Sequence, residues 1–234
     1  MKTILILLVL IQQTLFAQDV LLHSHNDYLQ KHPLKTALEI KANTIEVDVA
    51  WHNEKIKVTH IVFLMQTKPL LEELYLKKML AQKDDLVSVK FLMIDIKSGS
   101  EEILVALNKM ISEYQEIFAS RSETESNKIR VVISGGAHRE NLVKNNKLNY
   151  LFADGNPSDL DANLDSWLMP FVSTNYASKT EEERISIIEK AHAQGKLVRF
   201  WNTSDNVKTW KKLLNLNVDI IGVDRLGKFR KCFD

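Results

Sequence analysis

Thr44-Ile45-Glu46-Val47-Asp48-Val49 is the stretch on which the fold turns. A strand of a parallel sheet, covered on both faces, reads as a nearly unbroken apolar run. Here two carboxylates interrupt such a run at a spacing of two. Residues two apart on a strand share a face. Glu46 and Asp48 therefore point together at one spot, and Ile45, Val47 and Val49 take the other side. Neighbouring anions in a poorly hydrated site repel each other and resist desolvation unless positive charge lies between them. A bound divalent cation is the simplest source of that charge.

Outward from this segment, apolar strand-like runs alternate with amphipathic helical ones. The strands are expected at Val20–Ser24, Thr44–Val49, Phe91–Ile96, Arg130–Ser134, Tyr150–Ala153, Leu168–Ser173, Leu197–Trp201 and Asp219–Asp224. Helices are expected at Leu34–Lys41, Pro69–Ala81, Glu101–Ala119, Glu140–Lys147, Glu181–Gln194 and Asn206–Asn215. The clearest helix carries a Thr180-x-x-Glu183 capping box, apolar Ile185, Ile187, Ile188 and Ala191, and Gly195 as its stop. The link from Asp154 to Trp167 reads as a loop with at most a short helix, and Ser122–Asn127 as a solvated loop. Eight strands alternating with helices predict a closed (βα)8 TIM barrel in a single domain, with a doubly wound open sheet as the alternative.

Strand parity then collects the polar residues. His23 and His25 share a face, as do Glu46 and Asp48, Asp95 and Lys97, and Arg199 and Trp201. All gather toward the C-terminal ends of their strands, where barrel enzymes place their chemistry. Glu46, Asp48 and Asp95 form an all-oxygen set, which favours Mg2+ or Ca2+ over zinc. Three anions around one dication suit a substrate phosphate. His25 ends the first strand, and His60 follows the hairpin-like run Lys55–Thr59 that returns toward the second. Two histidines flanking a phosphodiester would supply a base for the attacking group and an acid for the leaving alkoxide.

Composition narrows the classes. Lys and Arg number 31 against 30 Asp and Glu, for a formal net charge of +1. No basic excess points to nucleic acid or to a broad cationic membrane face. Cys232 is the lone cysteine, so an intrachain disulfide is excluded and a thiolate metal site is not expected. Met1–Ile11 is a charged start followed by a short apolar run, and Leu15-Phe16-Ala17 precedes Gln18. Residues 1–17 thus read as a secretory signal peptide cleaved near Ala17, leaving residues 18–234 as the barrel, secreted or periplasmic, with no integral membrane segment.

The order of these motifs resembles a known superfamily. His23-Ser24-His25-Asn26-Asp27-Tyr28, Ile45-Glu46-Val47-Asp48-Val49, Val58-Thr59-His60, Ile94-Asp95-Ile96-Lys97-Ser98-Gly99 and Val198-Arg199-Phe200-Trp201-Asn202 are similar to the PLC-like phosphodiesterases. The glycerophosphodiester phosphodiesterase and sphingomyelinase D branches share this order, and the nearest relatives are the proteins named after a fungal mitochondrial-inheritance factor. The resemblance implies His25 and His60 as acid/base catalysts and Glu46, Asp48 and Asp95 as metal ligands. It also implies Lys97 on a substrate phosphate oxygen, Trp201 in the substrate wall and Asn26 as a further substrate contact. Three features depart from the glycerophosphodiesterases: Asn26 stands where they place Arg, the stretch from His60 to Asp95 is too short for their helical insertion, and the third ligand is Asp.

The expected activity is therefore cleavage of a glycerophosphodiester- or phospholipid-headgroup-like diester beside one divalent cation. Two alternatives stay open: a His-x-His hydrolase built on His23 and His25 with a transition metal, and a headgroup-binding barrel without turnover. The remaining polar and aromatic residues have plainer readings. His23 is expected as a core histidine, and Arg199 as the neutraliser of Asp224 or Glu46. His32, His52 and His192 are expected as exposed or capping residues, His138 in a turn, and Trp51, Trp167 and Trp210 as packing residues.

Overall fold

The computed structural model describes residues 20–124, 126–135 and 138–233, and the side chain of each except Phe233. The leader expected in residues 1–17 lies outside them. Nine strands form in chain order: β1 Leu21–Ser24, β2 Thr44–His52, β3 Lys55–Val58, β4 Phe91–Ser98, β5 Arg130–Ser134, β6 Leu151–Gly155, β7 Phe171–Asn175, β8 Leu197–Trp201 and β9 Ile220–Val223. All pair in parallel except β3, which folds back on β2 as an antiparallel hairpin. Because β1 pairs with both β9 and β2, the eight parallel strands close into a barrel. The fold is thus a single-domain (βα)8 TIM barrel, with β3 attached outside it.

The α-helices are α1 Lys35–Glu39, α2 Lys77–Ala81, α3 Glu102–Ser112, α4 Arg139–Lys144, α5 Glu181–Ala193, α6 Val207–Asn215 and α7 Leu226–Phe233. On α5 the capping box forms as expected. Glu183 Oε2 accepts from the Thr180 backbone N–H at 2.7 Å, and Thr180 Oγ1 accepts from Glu183 N–H at 3.2 Å. Gly195 follows at φ +66°, the left-handed stop that a glycine adopts without strain. The 69–81 run is helical but opens with a π-helical turn, Glu72–Leu76.

Two expectations are corrected. The 101–119 helix ends at Ser112, because the chain turns to place Phe118 beside Ile129 at the foot of β5. A C-terminal helix, α7, packs Phe229 edge-on against buried Trp210. Charged Lys228, Arg230 and Lys231 obscured its apolar side in the sequence.

Alternation decides which residues face inward. Ile45, Val47 and Val49, with Leu92, Ile94 and Ile96, pack outward against the helices in the main core. The opposite parity fills the barrel. Leu21, Phe91, Met93, Val132, Phe152, Phe171 and Ile220 form an apolar plug toward the strand N-termini. Two residues further along β1, β4, β5, β6 and β7, and on β2 and β8, the interior turns polar: His23, Glu46, Asp48, Asp95, Ser134, Asp154, Ser173 and Arg199. The barrel therefore has an oily floor and a charged mouth.

Candidate active site

Backbone register sets the carboxylates together. Asp48 on β2 lies directly opposite Asp95 on β4, and Glu46 opposite Met93. Oxygens from Glu46, Asp48 and Asp95 all fall within 4.8 Å of one another. Each carboxylate commits one oxygen to a protein donor. Glu46 Oε2 accepts from Arg199 Nη2 at 2.8 Å and lies 2.5 Å from His23 Nε2. Asp48 Oδ2 accepts from the Tyr28 hydroxyl at 2.9 Å and lies 2.6 Å from His60 Nδ1. Asp95 Oδ2 accepts from Lys97 Nζ at 2.8 Å. The Asp48 Oδ1 atom is buried and makes no hydrogen bond among the described residues, with Lys97 Nζ 3.4 Å away.

These surroundings divide the three acids. Burial alone would raise Glu46, but the Arg199 guanidinium and His23 hold it well below the usual carboxylate range. For Asp48 burial wins, and its carboxyl is pushed up despite Lys97 and His60. His23, enclosed beside Arg199, is lowered to about 4 and so stays neutral. Burial works against the Lys97 ammonium, yet Asp95 outweighs it and the net shift is upward. Arg199 thus neutralises Glu46, one of the two partners expected for it, and His23 is a core histidine that braces the same carboxylate.

The fit to a dication is favourable. The donor set is wholly oxygen, the arrangement suits a hard ion of the Mg2+ or Ca2+ class, and an orphaned buried carboxylate oxygen faces the cluster. Gly135 permits the close approach of β5. Its φ is +94°, and a Cβ there would sit 3.2 Å from Asp95 Oδ1 and 3.0 Å from the Ile96 carbonyl oxygen.

Both histidines are anchored through Nδ1 to a carboxylate. His25 Nδ1 lies 2.6 Å from Asp224 Oδ1, and the Asn26 side-chain amide donates to His25 Nε2 at 3.2 Å. His60 rests on Asp48, reached because the β3 hairpin carries Thr59 back onto the Asp48 carbonyl. A carboxylate on one ring nitrogen fixes the imidazole's orientation and turns the other nitrogen, Nε2, away from it; in His25 that nitrogen accepts from Asn26.

His25, Asn26, Glu46, His60, Asp95, Lys97 and Trp201 line one cavity of about 810 Å³ at the barrel mouth. Asp48 sits beneath it, fully buried. Every site residue named from the sequence is therefore brought to one place. Two lining or orienting residues were not anticipated. Asp224 was considered only as a partner for Arg199, yet it takes His25. Asp154, assigned to the link, instead lies on β6 in the cavity wall, where burial pushes it up to about 7 and Ser134 Oγ donates to it at 2.9 Å. An acidic residue closing an apolar run, as in Leu151–Asp154, was the available signal. His138 is buried at the start of α4, and His192 lies 2.8 Å from Asp219 at the far end of the barrel.

Comparison with known proteins bears on the fold first. The barrel superposes on a Galdieria sulphuraria protein assigned to the glycerophosphodiester phosphodiesterases, with a TM-score of 0.65 at 17% identity, covering 91% of this chain and 98% of that one. A glycerophosphodiester phosphodiesterase from Agrobacterium tumefaciens gives 0.60 at 13%, covering 92% and 99%. A Ca2+-dependent phosphatidylinositol-specific phospholipase C from Streptomyces antibioticus gives 0.59 at 11%, covering 90% and 95%. The fold is that of the PLC-like phosphodiesterases. More particularly, residues 14–89, which carry His25, Glu46, Asp48 and His60, match the family described as the AIM6-like phosphodiesterase domain. No curated protein is similar enough in sequence to register a match.

Proposed function

We propose that this chain is a metal-dependent phosphodiesterase that cleaves a glycerophosphodiester- or phospholipid-headgroup-like substrate by two-histidine acid/base catalysis. One observation carries the reading: three carboxylate oxygen donors and two carboxylate-anchored histidines converge at the C-terminal mouth of a phosphodiesterase-type barrel. Glu46, Asp48 and Asp95 would hold the cation, whose chemistry is neutralisation of phosphoryl charge. Lys97 adds a second positive centre beside Asp95, within reach of a phosphate oxygen. His25 and His60 lie on the same cavity, so one can take the proton of the attacking group while the other gives a proton to the departing alkoxide. Trp201 closes one wall, and Asn26 bonds to His25 from the substrate side.

The His-x-His alternative gains no support from the geometry. His23 is enclosed on Glu46 and Arg199, and the one cluster of metal-binding side chains among the described residues is carboxylate.

The test is phosphorus NMR of purified protein with a panel of simple phosphodiesters, in Mg2+ or Ca2+ and again after chelation. New phosphomonoester or cyclic-phosphate signals that vanish with the chelator are the expected result. If no diester is consumed with any divalent cation, the enzyme reading fails; diester binding without product would then favour a headgroup-binding barrel. No helix among the described residues is long and apolar enough to cross a membrane.

A further inference from the structure

A second hollow adjoins the charged cavity and has the opposite character. It encloses about 400 Å³, and Tyr28, Leu29, Val58, Ile61, Pro69 and Leu74 form most of its wall. The two hollows meet at Asn26 and His60, which line both. Leu29 is 71% exposed and Ile61 43% exposed. Phe63 and Leu64 continue the apolar surface from Ile61, and Trp201 stands at the edge of the charged cavity, also exposed. Of the eight large apolar side chains that are exposed among the described residues, Leu29 and Ile61 line this hollow and Trp201 the charged one, and Phe63 and Leu64 follow Ile61 in the chain; Val87, Val105 and Ile185 are elsewhere. Single exposed apolar residues need no explanation, but their concentration beside a reactive group does.

We infer that the groove formed by Tyr28, Leu29, Val58, Ile61, Pro69 and Leu74 binds the hydrocarbon chain of a single-chain amphiphilic phosphodiester, whose hydrated arm occupies the charged cavity. The inference rests on the phosphodiesterase reading and adds the substrate's shape to it. Its logic is positional. An acid/base histidine works within hydrogen-bond distance of the atom it serves, so whatever fills a groove that begins at His60 lies only a few bonds from the scissile phosphate. The occupant is then a substituent of the substrate. A flat membrane would cover the rim without entering the groove.

The two compartments sort the substituents by polarity. The charged cavity presents Asp154, Arg199, Lys179, Asn156 and Asn175, which suit a hydrated alcohol. The groove offers mostly carbon. Its volume lies at the low end of small-molecule sites, which run from roughly 300 to 1,000 Å³, and so suits one chain. Burying a methylene there is worth up to about fourfold in affinity.

The experiment compares three substrates that share a head: glycerophosphocholine and its hexanoyl and decanoyl lysophospholipid forms, each kept below its micelle concentration. The expected kcat/KM rises at least tenfold from the deacylated diester to the decanoyl form. Leu29→Asp, a change at an exposed position outside the catalytic machinery, flattens that rise and leaves hydrolysis of the deacylated diester unchanged. Equal rates on all three substrates overturn the inference while the phosphodiesterase reading stands. A Leu29→Asp variant with an undiminished chain dependence overturns it too.

If no diester is turned over, the functional reading fails by itself, and calorimetric titration with decylphosphocholine against phosphocholine decides the groove. Binding of the first alone, lost in Leu29→Asp, supports the inference; equal or absent binding sinks it. Should Leu29→Asp instead convert a dimer to a monomer in size-exclusion chromatography, a second copy of the chain occupies the groove and the inference falls.

Discussion

His25→Ala is expected to lower kcat for diester hydrolysis by roughly 10²- to 10⁴-fold, the usual contribution of a positioned proton-transfer group. The Asp224 carboxylate 2.6 Å from Nδ1 indicates that this histidine is held for a purpose, since an ordinary surface imidazole needs no anchor. The imidazole bonds only to exposed Asp224 and to Asn26 at the barrel mouth, and the backbone bond to Val223 survives the substitution, so the loss falls mainly on turnover and not on folding. Steady-state rates with a soluble diester, measured beside thermal unfolding, separate the two effects. An unchanged melting temperature with collapsed turnover is the expected pair. Asp224→Asn leaves the ring in place with weaker support, so a smaller loss is expected. If His25→Ala retains wild-type kcat, the acid/base assignment is wrong.

Arg199→Met carries the largest expected effect on stability. Arg199 is 5% exposed and donates to Glu46, which is 4% exposed. Removing one partner of a buried pair leaves the other charge uncompensated, at a cost of roughly 3–5 kcal/mol. In a domain of this size that corresponds to a fall in melting temperature of roughly 6–20 °C. Measurements on chelated protein keep bound cations out of the comparison. The double variant Arg199→Met with Glu46→Gln removes the stranded charge and should recover much of the loss. If the double variant melts no higher than Arg199→Met alone, repulsion at Glu46 is not the cause.

The sequence made the fold legible where a strict period of two was at work. Alternation in Thr44–Val49 and Phe91–Lys97 specified which side chains face inward, and the register Asp48 to Asp95 followed once the two strands became neighbours. The capping box at Thr180 was legible for a similar reason, because its donors and acceptors lie three residues apart. What stayed hidden depends on distant pairings. His25 and Asp224 are 199 positions apart and meet only because β1 runs beside β9. Arg199 could have reached either Asp224 or Glu46, and closure of the barrel decided between them. Asp154 was hidden by an expected strand end at Ala153, two residues short of Gly155. The apolar groove was illegible because Leu29 comes from the β1–β2 connection and Ile61 and Leu74 from separate parts of the long β3–β4 connection, which no local pattern joins.

The plug of Phe91, Phe152 and Phe171 has a consequence for traffic. With the N-terminal end of the barrel filled, the substrate's way in is also each product's way out. On the proposed function, a phosphorylated product held at Lys97 stands in the way of the next substrate, so its inhibition should be competitive with substrate.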